Sequence, residues 1–237
     1  MDRMIGTEDI RRIVLGHYTM PRDSALVGQK VVVCAYLIRH PEHLVLFDTG
    51  IGEGHRESER LYGPIVRRPL REGLASVGAT VEDVDVVANC HFHLDHCGGN
   101  PLFPGRPIVA QSREYEAIGE LDYTLPSLID FEGAALELHE GEADLAAGLS
   151  IVPTPGHTPG HQSVLIETRQ GRILLAGQAI NTASEFARAD YALKLAQSGS
   201  REPLPEIPTW LAGLAELDVQ RVLFAHDLVV WERDQAN

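Results

Sequence analysis

Hydrophobic residues fall into short runs separated by Gly, Pro and charged residues along this chain, which is typical of strands and short helices joined by tight turns. Residues 31–39 and 44–48 are apolar, β-branched runs on either side of the turn sequence HPEH, and they predict a β-hairpin that ends in DTG. Residues 84–89 form a nearly continuous apolar stretch, as in strands buried on both faces of a sheet. That strand leads directly into the sequence HFHLDH, so we expect a functional site at its carboxyl end.

The remaining apolar positions alternate between the spacing of strands and that of helices, which predicts an α/β fold. Further strands are predicted at residues 107–110, 134–139, 148–153, 162–168, 172–176 and 222–225. Helices are predicted at residues 69–78, 112–119 and 209–217. We expect residues 134–139 and 148–153 to pair with each other, and residues 162–168 and 172–176 to form a second hairpin around a Gln-Gly turn.

The chain has 237 residues and shows no internal repeat, so we expect one domain that spans residues 1–237. A chain of this size buries enough surface to fold without a disulfide or a structural metal. Residues 52–63 are predicted to be polar loop. Residues 16–28 and 197–208 also have loop composition, and we expect one or the other to form a lid over a substrate pocket.

Charge and targeting signals narrow the classes of partner. Lys and Arg total 20 against 34 Asp and Glu, and the formal net charge of −14 repels polyanions. We therefore expect neither a nucleic acid nor an anionic membrane as a partner. The apolar runs are shorter than the ~20 residues of a membrane span, and the N-terminal residues lack the apolar core of a signal peptide. Three cysteines cannot all pair with one another, so we expect a cytoplasmic protein that acts on a small molecule.

Candidate chemistry is concentrated in histidines that lie after predicted strands or in Gly- and Pro-rich loops, where ligand-binding residues are often carried. They are His91, His93, His96, His157 and His226. An isolated histidine usually has only a structural role, but three histidines and an aspartate within HFHLDH indicate a metal site, because crowded imidazoles need a cation. In an extended segment His91 and His93 point the same way and are able to share one ion. Asp95 and His96 turn with the chain toward a second ion.

Four further residues have expected roles in or near this site. His161, in the sequence PGHTPGH, is expected to orient a ligand or to hold its loop by hydrogen bonds. Cys90 is expected to point away from His91. Cys97 is either a soft metal ligand or a small buried side chain. Tyr191, on a predicted helix, either packs against its neighbours or reaches into the site.

The motifs together resemble the metallo-β-lactamase superfamily: HFHLDH followed by GG, the upstream DTG, the downstream PGHTPGH and the C-terminal FAHD. The segment NCHFHLDHCGGN is most similar to the branch of N-acyl-homoserine-lactone lactonases. The resemblance implies an αββα sandwich, in which two mixed sheets pack face to face with helices outside and the site lies at one edge. It also implies that His91, His93 and His157 hold a first metal, that Asp95, His96 and His226 hold a second, and that Asp48 orients the ligands.

Two positions depart from the pattern of that branch. The branch usually has an aspartate that bridges the two metals, and this chain has Gln178 in its place. An amide oxygen coordinates weakly and carries no charge to offset two cations, so we expect the second metal to bind less tightly. Lactonases of the branch generally have a tyrosine three residues later that polarises the lactone carbonyl. This chain has Asn181 there, which is able to donate a hydrogen bond to an oxyanion.

The sequence therefore predicts a metal-dependent hydrolase that opens a lactone or another small ester by attack of a metal-bound hydroxide. Asp95 is expected to steer or accept a proton, and Asn181 to stabilise developing negative charge. The expected cofactor is Zn²⁺, with one ion bound firmly and a second weakly, although Mn²⁺ or Fe²⁺ also suits these ligands. The resemblance adds quorum quenching as the biological setting, and a homodimer is compatible with it.

Three alternatives stay open from the sequence. The first is another hydrolase of the same fold that acts on a thioester or a β-lactam, because a fold does not choose a substrate. The second is an iron-dependent oxygenase of the superfamily, but its iron would use the carboxylate that Gln178 replaces. The third is a relative that binds a metal or a ligand and has lost turnover with the bridging charge.

Overall fold

Two β-sheets form the centre of the computed structural model, which describes residues 4–20, 27–55, 62, 64–119, 124–200 and 204–233. The strands of the first sheet are β1 Ile10–Thr19, β2 Lys30–Arg39, β3 Leu44–Phe47, β4 Ile65–Arg67, β5 Val86–Ala88, β6 Pro107–Gln111 and β7 Ala135–His139. They lie in the order β4-β1-β2-β3-β5-β6-β7. Strand β2 is antiparallel to both β1 and β3, and β4 is antiparallel to β1. Strands β3, β5, β6 and β7 run parallel, so the sheet is mixed.

The second sheet comes from the C-terminal half of the chain. Its strands are β8 Ala143–Ala146, β9 Leu149–Pro153, β10 Gln162–Thr168, β11 Gly171–Leu175, β12 Val219–Leu223 and β13 Trp231–Glu232. They lie in the order β13-β12-β11-β10-β9-β8. Strands β11 and β12 are parallel and the other pairs are antiparallel, so this sheet is mixed as well.

Helices lie between the strands along the chain. They are α1 Leu70–Ser76, α2 Leu94–Cys97, α3 Ser112–Ala117, α4 Ala183–Gln197 and α5 Leu211–Glu216. Short 3-10 turns occur at Thr7–Asp9, Asn100–Leu102 and Pro126–Leu128. None of the described helices has the length and apolar character needed to cross a membrane.

Apolar side chains of the two sheets meet in a shared core. Tyr36 and Phe47 from the first sheet pack in one cluster with Ile151 and Val164 from the second. Separate clusters on the outer faces join α1 to the first sheet and α4 and α5 to the second. Burial of these faces removes apolar surface from water, which is the main driving force for folding. The order of layers is helix, sheet, sheet, helix, which confirms the predicted αββα sandwich.

The parallel strands place several chain turns at one edge of the two sheets. Asp48 follows β3 and His91 lies three residues after β5, which pairs with β3 in parallel. Gln178 and His226 each lie three residues after β11 and β12, which are parallel neighbours in the second sheet. Carboxyl ends of parallel strands share an edge, and ligands commonly bind there in α/β proteins.

Some sequence predictions about the fold are wrong. Residues 134–139 and 148–153 do not pair with each other: β7 pairs with β6 in the first sheet, whereas β9 pairs with β8 and β10 in the second. Both runs alternate polar and apolar residues, and this alternation identifies a strand without identifying its partner. The strand predicted at residues 222–225 begins earlier, at Val219.

The two segments predicted as alternatives for a lid differ in structure. Residues 16–19 belong to β1, where Gly16 has a φ of 144° at a bulge and a side chain would meet the carbonyl of Val66. Residues 21–26 lie outside the described residues. Gln197 ends α4, and residues 198–200 and 204–208 form neither helix nor strand. The predicted loop over residues 52–63 is described only for residues 52–55 and 62.

Candidate metal centre

The structure brings all the predicted site residues together at the edge described above. The first group, which we call triad 1, consists of His91, His93 and His157, and the second group, triad 2, consists of Asp95, His96 and His226. In each triad the ligand atoms lie within 4.8 Å of one another. The rings of His91 and His96 are 4.2 Å apart between centroids, so the two triads are adjacent.

Triad 1 is built from two separate loops. His93 is the N-cap residue of α2, with extended backbone, while His157 lies in the loop between β9 and β10. His93 Nδ1 and His157 Nε2 are 3.1 Å apart. His91 is fully buried, and its Nε2 atom has no hydrogen-bond partner in the described structure. A buried polar atom without a partner is costly, so this nitrogen indicates a missing ligand.

Triad 2 joins α2 to the end of β12. The Nε2 atoms of His96 and His226 are 3.2 Å apart, and Asp95 Oδ2 lies 3.6 Å and 3.5 Å from them respectively. The other nitrogen of His226, Nδ1, donates a hydrogen bond to the carbonyl of Val32 at 2.7 Å. That bond fixes the tautomer and leaves Nε2 with its lone pair toward the triad.

Both triads have the donor set and the spacing that a tetrahedral metal requires. Zinc forms bonds of about 2.0–2.1 Å to histidine nitrogen, which places neighbouring ligand atoms roughly 3.3 Å apart. The three atom pairs of triad 2 and the His93–His157 pair of triad 1 lie 3.1–3.6 Å apart, close to that value. Imidazole and carboxylate ligands in sets of three leave a coordination position for water or substrate.

Triad 1 holds neutral imidazoles at neutral pH. Burial holds the pKa of His91 well below its usual range, and the neighbouring His96 lowers this pKa further. Burial lowers the pKa of His93 to about 4 against the opposing effect of Asp95, and burial with His93 lowers the pKa of His157 to about 3. Neutral imidazole is the form that binds a metal, so triad 1 needs to release no proton first.

Triad 2 has a different balance of charge. Burial alone would lower the pKa of His96, but the carboxylates of Asp95 and Asp48 outweigh burial and raise this pKa to about 9. Burial would raise the pKa of Asp95, yet His96 and His226 hold it below its usual range. A cation that binds triad 2 therefore has to replace a proton on His96, whereas triad 1 has no proton to release.

Asp48 lies behind triad 2 and contacts His96. The residue is buried and has a φ of 64°, a conformation that is uncommon for residues other than glycine. Its Oδ2 atom accepts a hydrogen bond from His96 Nδ1 at 2.9 Å, and its Oδ1 atom accepts one from the backbone N–H of Cys90 at 2.8 Å. The first bond leaves His96 Nε2 facing triad 2.

Gln178 and Asn181, the two residues that differ from the lactonase pattern, contact each other. Gln178 Oε1 lies 3.1 Å from His96 Nε2, so its amide oxygen faces triad 2. Gln178 Nε2 donates to Asn181 Oδ1 at 3.2 Å, which holds the amide in that orientation. Asn181 also lines a cavity of about 380 Å³ beside α4, together with Ile180 and Arg188.

The structure shows the surroundings of three further residues near the site: His161, Cys97 and Tyr191. His161 holds its loop as predicted: its Nδ1 atom lies 2.8 Å from Thr154 Oγ1, and its Nε2 atom accepts from the backbone of Gln178. Cys97 is a small buried side chain that donates to the carbonyl of Phe92, and it belongs to neither triad. Tyr191 is 64% exposed and neither packs in the core nor reaches the triads.

The prediction for Cys90 is wrong. Its Sγ atom lies 3.0 Å from His91 Nδ1, on the same side as the histidine ring. Alternation of side chains holds only in a regular strand, and β5 ends at Ala88, so the backbone at residues 90–91 does not continue the extended pattern.

Sequence reasoning missed two tyrosines that contact Asp95. Tyr62 donates to Asp95 Oδ1 at 2.9 Å, and Tyr18 donates to Asp95 Oδ2 at 3.3 Å. Tyr18 lies in β1 and Tyr62 in a segment with no motif, so nothing in the sequence indicates their approach to residue 95. The two phenols hold the carboxylate of triad 2 in place.

Sequence reasoning also missed Glu114, a fully buried carboxylate in α3 that joins the two loops of triad 1. Its Oε1 atom accepts from the backbone N–H of Phe92 at 2.7 Å. Its Oε2 atom accepts from Thr158 Oγ1 at 2.8 Å and from the N–H of Gly160 at 3.2 Å. The sequence signal is weak: Glu114 shares the buried side of a short helix with Ala117.

Glu114→Ala is expected to lower the free energy of unfolding of the metal-free protein by roughly 3 kcal/mol or more, because each buried donor left without an acceptor costs about 1–3 kcal/mol. Urea denaturation measures this change. The control is Glu116→Ala, which removes an exposed carboxylate from the same helix and should change stability by less than about 0.5 kcal/mol. Equal effects of the two substitutions would show that Glu114 does not hold the loops together.

Comparison with known proteins gives a consistent set of relatives. A family model described as the metallo-beta-lactamase superfamily matches residues 30–230. An N-acyl homoserine lactonase of Bacillus thuringiensis is 33% identical over 190 residues, which cover 74% of this chain and 75% of that protein. One of Bacillus cereus is 35% identical over 166 residues, so the match spans 65% of this chain and 66% of that protein, slightly under two thirds of its length.

A solved structure also resembles this chain over nearly its full length. It is an N-acyl homoserine lactone hydrolase with the product N-hexanoyl-L-homoserine bound at the catalytic metal centre. The two chains are 26% identical, superpose with a TM-score of 0.74, and are each covered to 95%.

Proposed function

This chain belongs to the metallo-β-lactamase superfamily, and from that premise we propose that it is a metal-dependent hydrolase that opens the ring of N-acyl homoserine lactones. The observation that carries the proposal is the pair of adjacent triads, with ligand atoms spaced for two metal ions. The similarity to lactonases and to a product-bound lactone hydrolase supports the choice of substrate. Ring opening of such a signal molecule is the chemistry of quorum quenching.

We propose zinc as the metal, with His91, His93 and His157 as the firm site. Asp95, His96 and His226 form the weaker site, with Gln178 as a neutral neighbour. When bound, the metal supplies Lewis acidity that polarises the ester carbonyl and lowers the pKa of water. The histidine-rich ligands are also compatible with Mn²⁺ or Fe²⁺, so metal analysis decides the native ion.

Other groups of the chain bind and orient the substrate or handle its proton. Asp95 has a carboxylate oxygen at triad 2 and another held by Tyr62, so it is placed to accept and return a proton during ring opening. Asn181 lies next to Gln178 and lines the neighbouring cavity, where its side-chain N–H group is available to the carbonyl oxygen of a bound ester. A cavity of about 380 Å³ is in the range that holds small ligands.

The second candidate is a hydrolase of the same fold that acts on a thioester or a β-lactam. The observation that favours it is the replacement of two lactonase residues by Gln178 and Asn181. A changed polar environment at the bridging position alters which leaving group the site stabilises best. The lactone remains the preferred substrate because these two departures leave both triads intact and the chain is similar to N-acyl homoserine lactonases.

The test is an assay of zinc-loaded protein against a hexanoyl homoserine lactone, a thioester and a penem at equal concentrations. We expect the lactone to give a kcat/KM at least about tenfold above the other two, a difference of about 1.4 kcal/mol in transition-state stabilisation. Faster turnover of the thioester or the penem would reassign the substrate. Stoichiometric metal without hydrolysis of any of the three would indicate a binding protein.

A further inference from the structure

The thiol of Cys90 lies behind both triads, against histidine nitrogens that do not face the ligand positions. Its Sγ atom is 3.0 Å from Nδ1 of His91 and 3.2 Å from Nδ1 of His96. Cys90 has no solvent-exposed surface. Since His91 belongs to triad 1 and His96 to triad 2, one side chain contacts a histidine of each.

The position of the proton on His91 follows from its surroundings. Its Nδ1 atom contacts Cys90, so Nε2, which is buried and without a partner in the described structure, is the nitrogen left for a metal. A neutral imidazole carries one proton, and a metal at Nε2 requires that proton to sit on Nδ1. The Nδ1–H group then points at the sulfur of Cys90, which accepts it.

The proton of Cys90 is directed at Asp48. Its Sγ atom donates to Asp48 Oδ2 at 3.1 Å, and its backbone N–H donates to Asp48 Oδ1 at 2.8 Å. The same Oδ2 atom accepts from His96 Nδ1 at 2.9 Å. Asp48 therefore fixes His96 directly and reaches His91 only through the thiol.

We infer that Cys90 is a positioning residue of the metal centre, whose thiol accepts the Nδ1 proton of His91 and donates its own proton to Asp48. One carboxylate thereby orients a ligand of each triad. The inference rests on the proposed metal-dependent function and extends it to a residue outside both triads. Hydrogen bonds of this kind fix the tautomer and the direction of a ligating histidine, and their loss typically costs about 10- to 100-fold in metal affinity.

The local backbone keeps the thiol in this position. A Cβ atom at Gly177 would lie 2.5 Å from the Cβ atom of Cys90, so only glycine leaves room for the cysteine there. Asp48 adopts its left-handed conformation with both carboxylate oxygens bonded to Cys90. Unfavourable backbone conformations persist where the surroundings impose them, often at functional sites.

Direct binding of a metal by Cys90 is the competing interpretation, because its sulfur lies within 4.8 Å of ligand atoms of His91 and His161. Both ring nitrogens of His161 are already in use, one with Thr154 and one with the backbone of Gln178. A metal held by Cys90 and His161 would break one of those bonds. If Cys90 is a positioning residue, both hydrogen bonds of His161 stay intact.

The experiment compares Cys90→Ala, Cys90→Ser and the control Cys34→Ala in otherwise full-length protein. Cys34 is an equally buried thiol in the apolar core between the sheets, so its substitution measures the general cost of removing a thiol. Metal-free protein is titrated with zinc in competition with a chromophoric chelator. A parallel titration with Co²⁺ records the absorption spectrum, in which a thiolate ligand produces an intense charge-transfer band.

We expect Cys90→Ala to weaken the first equivalent of zinc at least about tenfold. Cys90→Ser retains a donor and an acceptor and should stay within about threefold of the original protein. Cys34→Ala should bind zinc unchanged, and the cobalt spectrum of the original protein should lack the thiolate band. Unchanged zinc affinity in Cys90→Ala, or a thiolate band that disappears in that variant, would overturn the positioning role.

The same titration separates this inference from the proposed function. If the original protein binds neither zinc nor cobalt, the metal centre itself is refuted, and the role of Cys90 falls with it. If the original protein binds zinc and Cys90→Ala binds it equally well, only the role of Cys90 is refuted. A Cys90→Ala variant that does not fold leaves Cys90→Ser and the cobalt spectrum to decide.

Discussion

His91→Ala is expected to lower kcat/KM for a hexanoyl homoserine lactone by at least about three orders of magnitude. His91 supplies the one triad nitrogen that is buried and has no partner in the described structure, so its removal takes away one of the three ligands of triad 1. Loss of a metal that stabilises charge in the transition state costs several kcal/mol, and each 1.36 kcal/mol is tenfold in rate. Steady-state kinetics with added zinc measures the effect.

The matched control for this prediction is His43→Ala. His43 is exposed in the turn between β2 and β3, far along the chain from both triads, and its substitution removes the same side chain. It should leave kcat/KM and zinc content unchanged. Wild-type activity in His91→Ala would contradict the assignment of triad 1 as the firm metal site.

Gln178→Glu is expected to tighten metal binding at triad 2 at least about tenfold and to raise the rate of lactone hydrolysis. The amide oxygen of Gln178 lies 3.1 Å from His96 Nε2, so a carboxylate of the same length brings a negative charge beside the second cation. At about 4 Å and an effective dielectric constant of about 20, such a pair gains about 4 kcal/mol before desolvation reduces it. Zinc stoichiometry and kcat report the change.

Two further variants sharpen this prediction. Gln178→Asp shortens the side chain by one carbon and tests whether distance matters as well as charge. Gln170→Glu adds the same charge at the exposed turn between β10 and β11 and should leave zinc content unchanged. Higher zinc content without faster hydrolysis in Gln178→Glu would favour a binding role over a weakened catalyst. No change in zinc content would mean that residue 178 does not contact the second metal.

We propose that weaker metal binding at triad 2 has two physical sources, of which the sequence indicated only one. The missing charge at Gln178 was visible in the sequence because the motif around it is recognisable. The second source is a proton on His96, since the carboxylates of Asp95 and Asp48 raise its pKa to about 9 against the effect of burial. That balance depends on distances between residues far apart in the chain, which a sequence does not contain.

Sequence patterns predicted an α/β fold because its strands alternate or run apolar in the way that buried sheets require. The sandwich itself was implied by the resemblance of the motifs to the metallo-β-lactamase superfamily. The positions of the five histidines, after strands or in constrained loops, indicated a metal site. The resemblance then assigned these histidines and Asp95 to two groups of ligands. Sequence patterns did not identify which strands pair with each other. Strands β7 and β9 have similar patterns but lie in different sheets. The alternation of polar and apolar residues shows which face of a strand is buried, but it does not show which strands lie beside it.

The supporting residues were the hardest to predict. Cys90 was assigned to the wrong side because the strand before it ends at Ala88, so the alternation of side chains does not continue to residues 90 and 91. Glu114 and Tyr18 are single polar residues within ordinary elements, and their role appears only when the fold brings residues 92, 160 and 95 to them. Such contacts have no local sequence signature, although they hold the ligands in place.

The central claim, that triad 1 binds a metal ion, is tested most directly by anomalous X-ray diffraction from crystals of zinc-loaded protein. We predict a strong peak about 2.0–2.1 Å from His91 Nε2, His93 Nδ1 and His157 Nε2, with a weaker peak among Asp95, His96 and His226. Crystals that contain zinc but show no peak at triad 1, with the three imidazoles turned away from one another, would contradict the account.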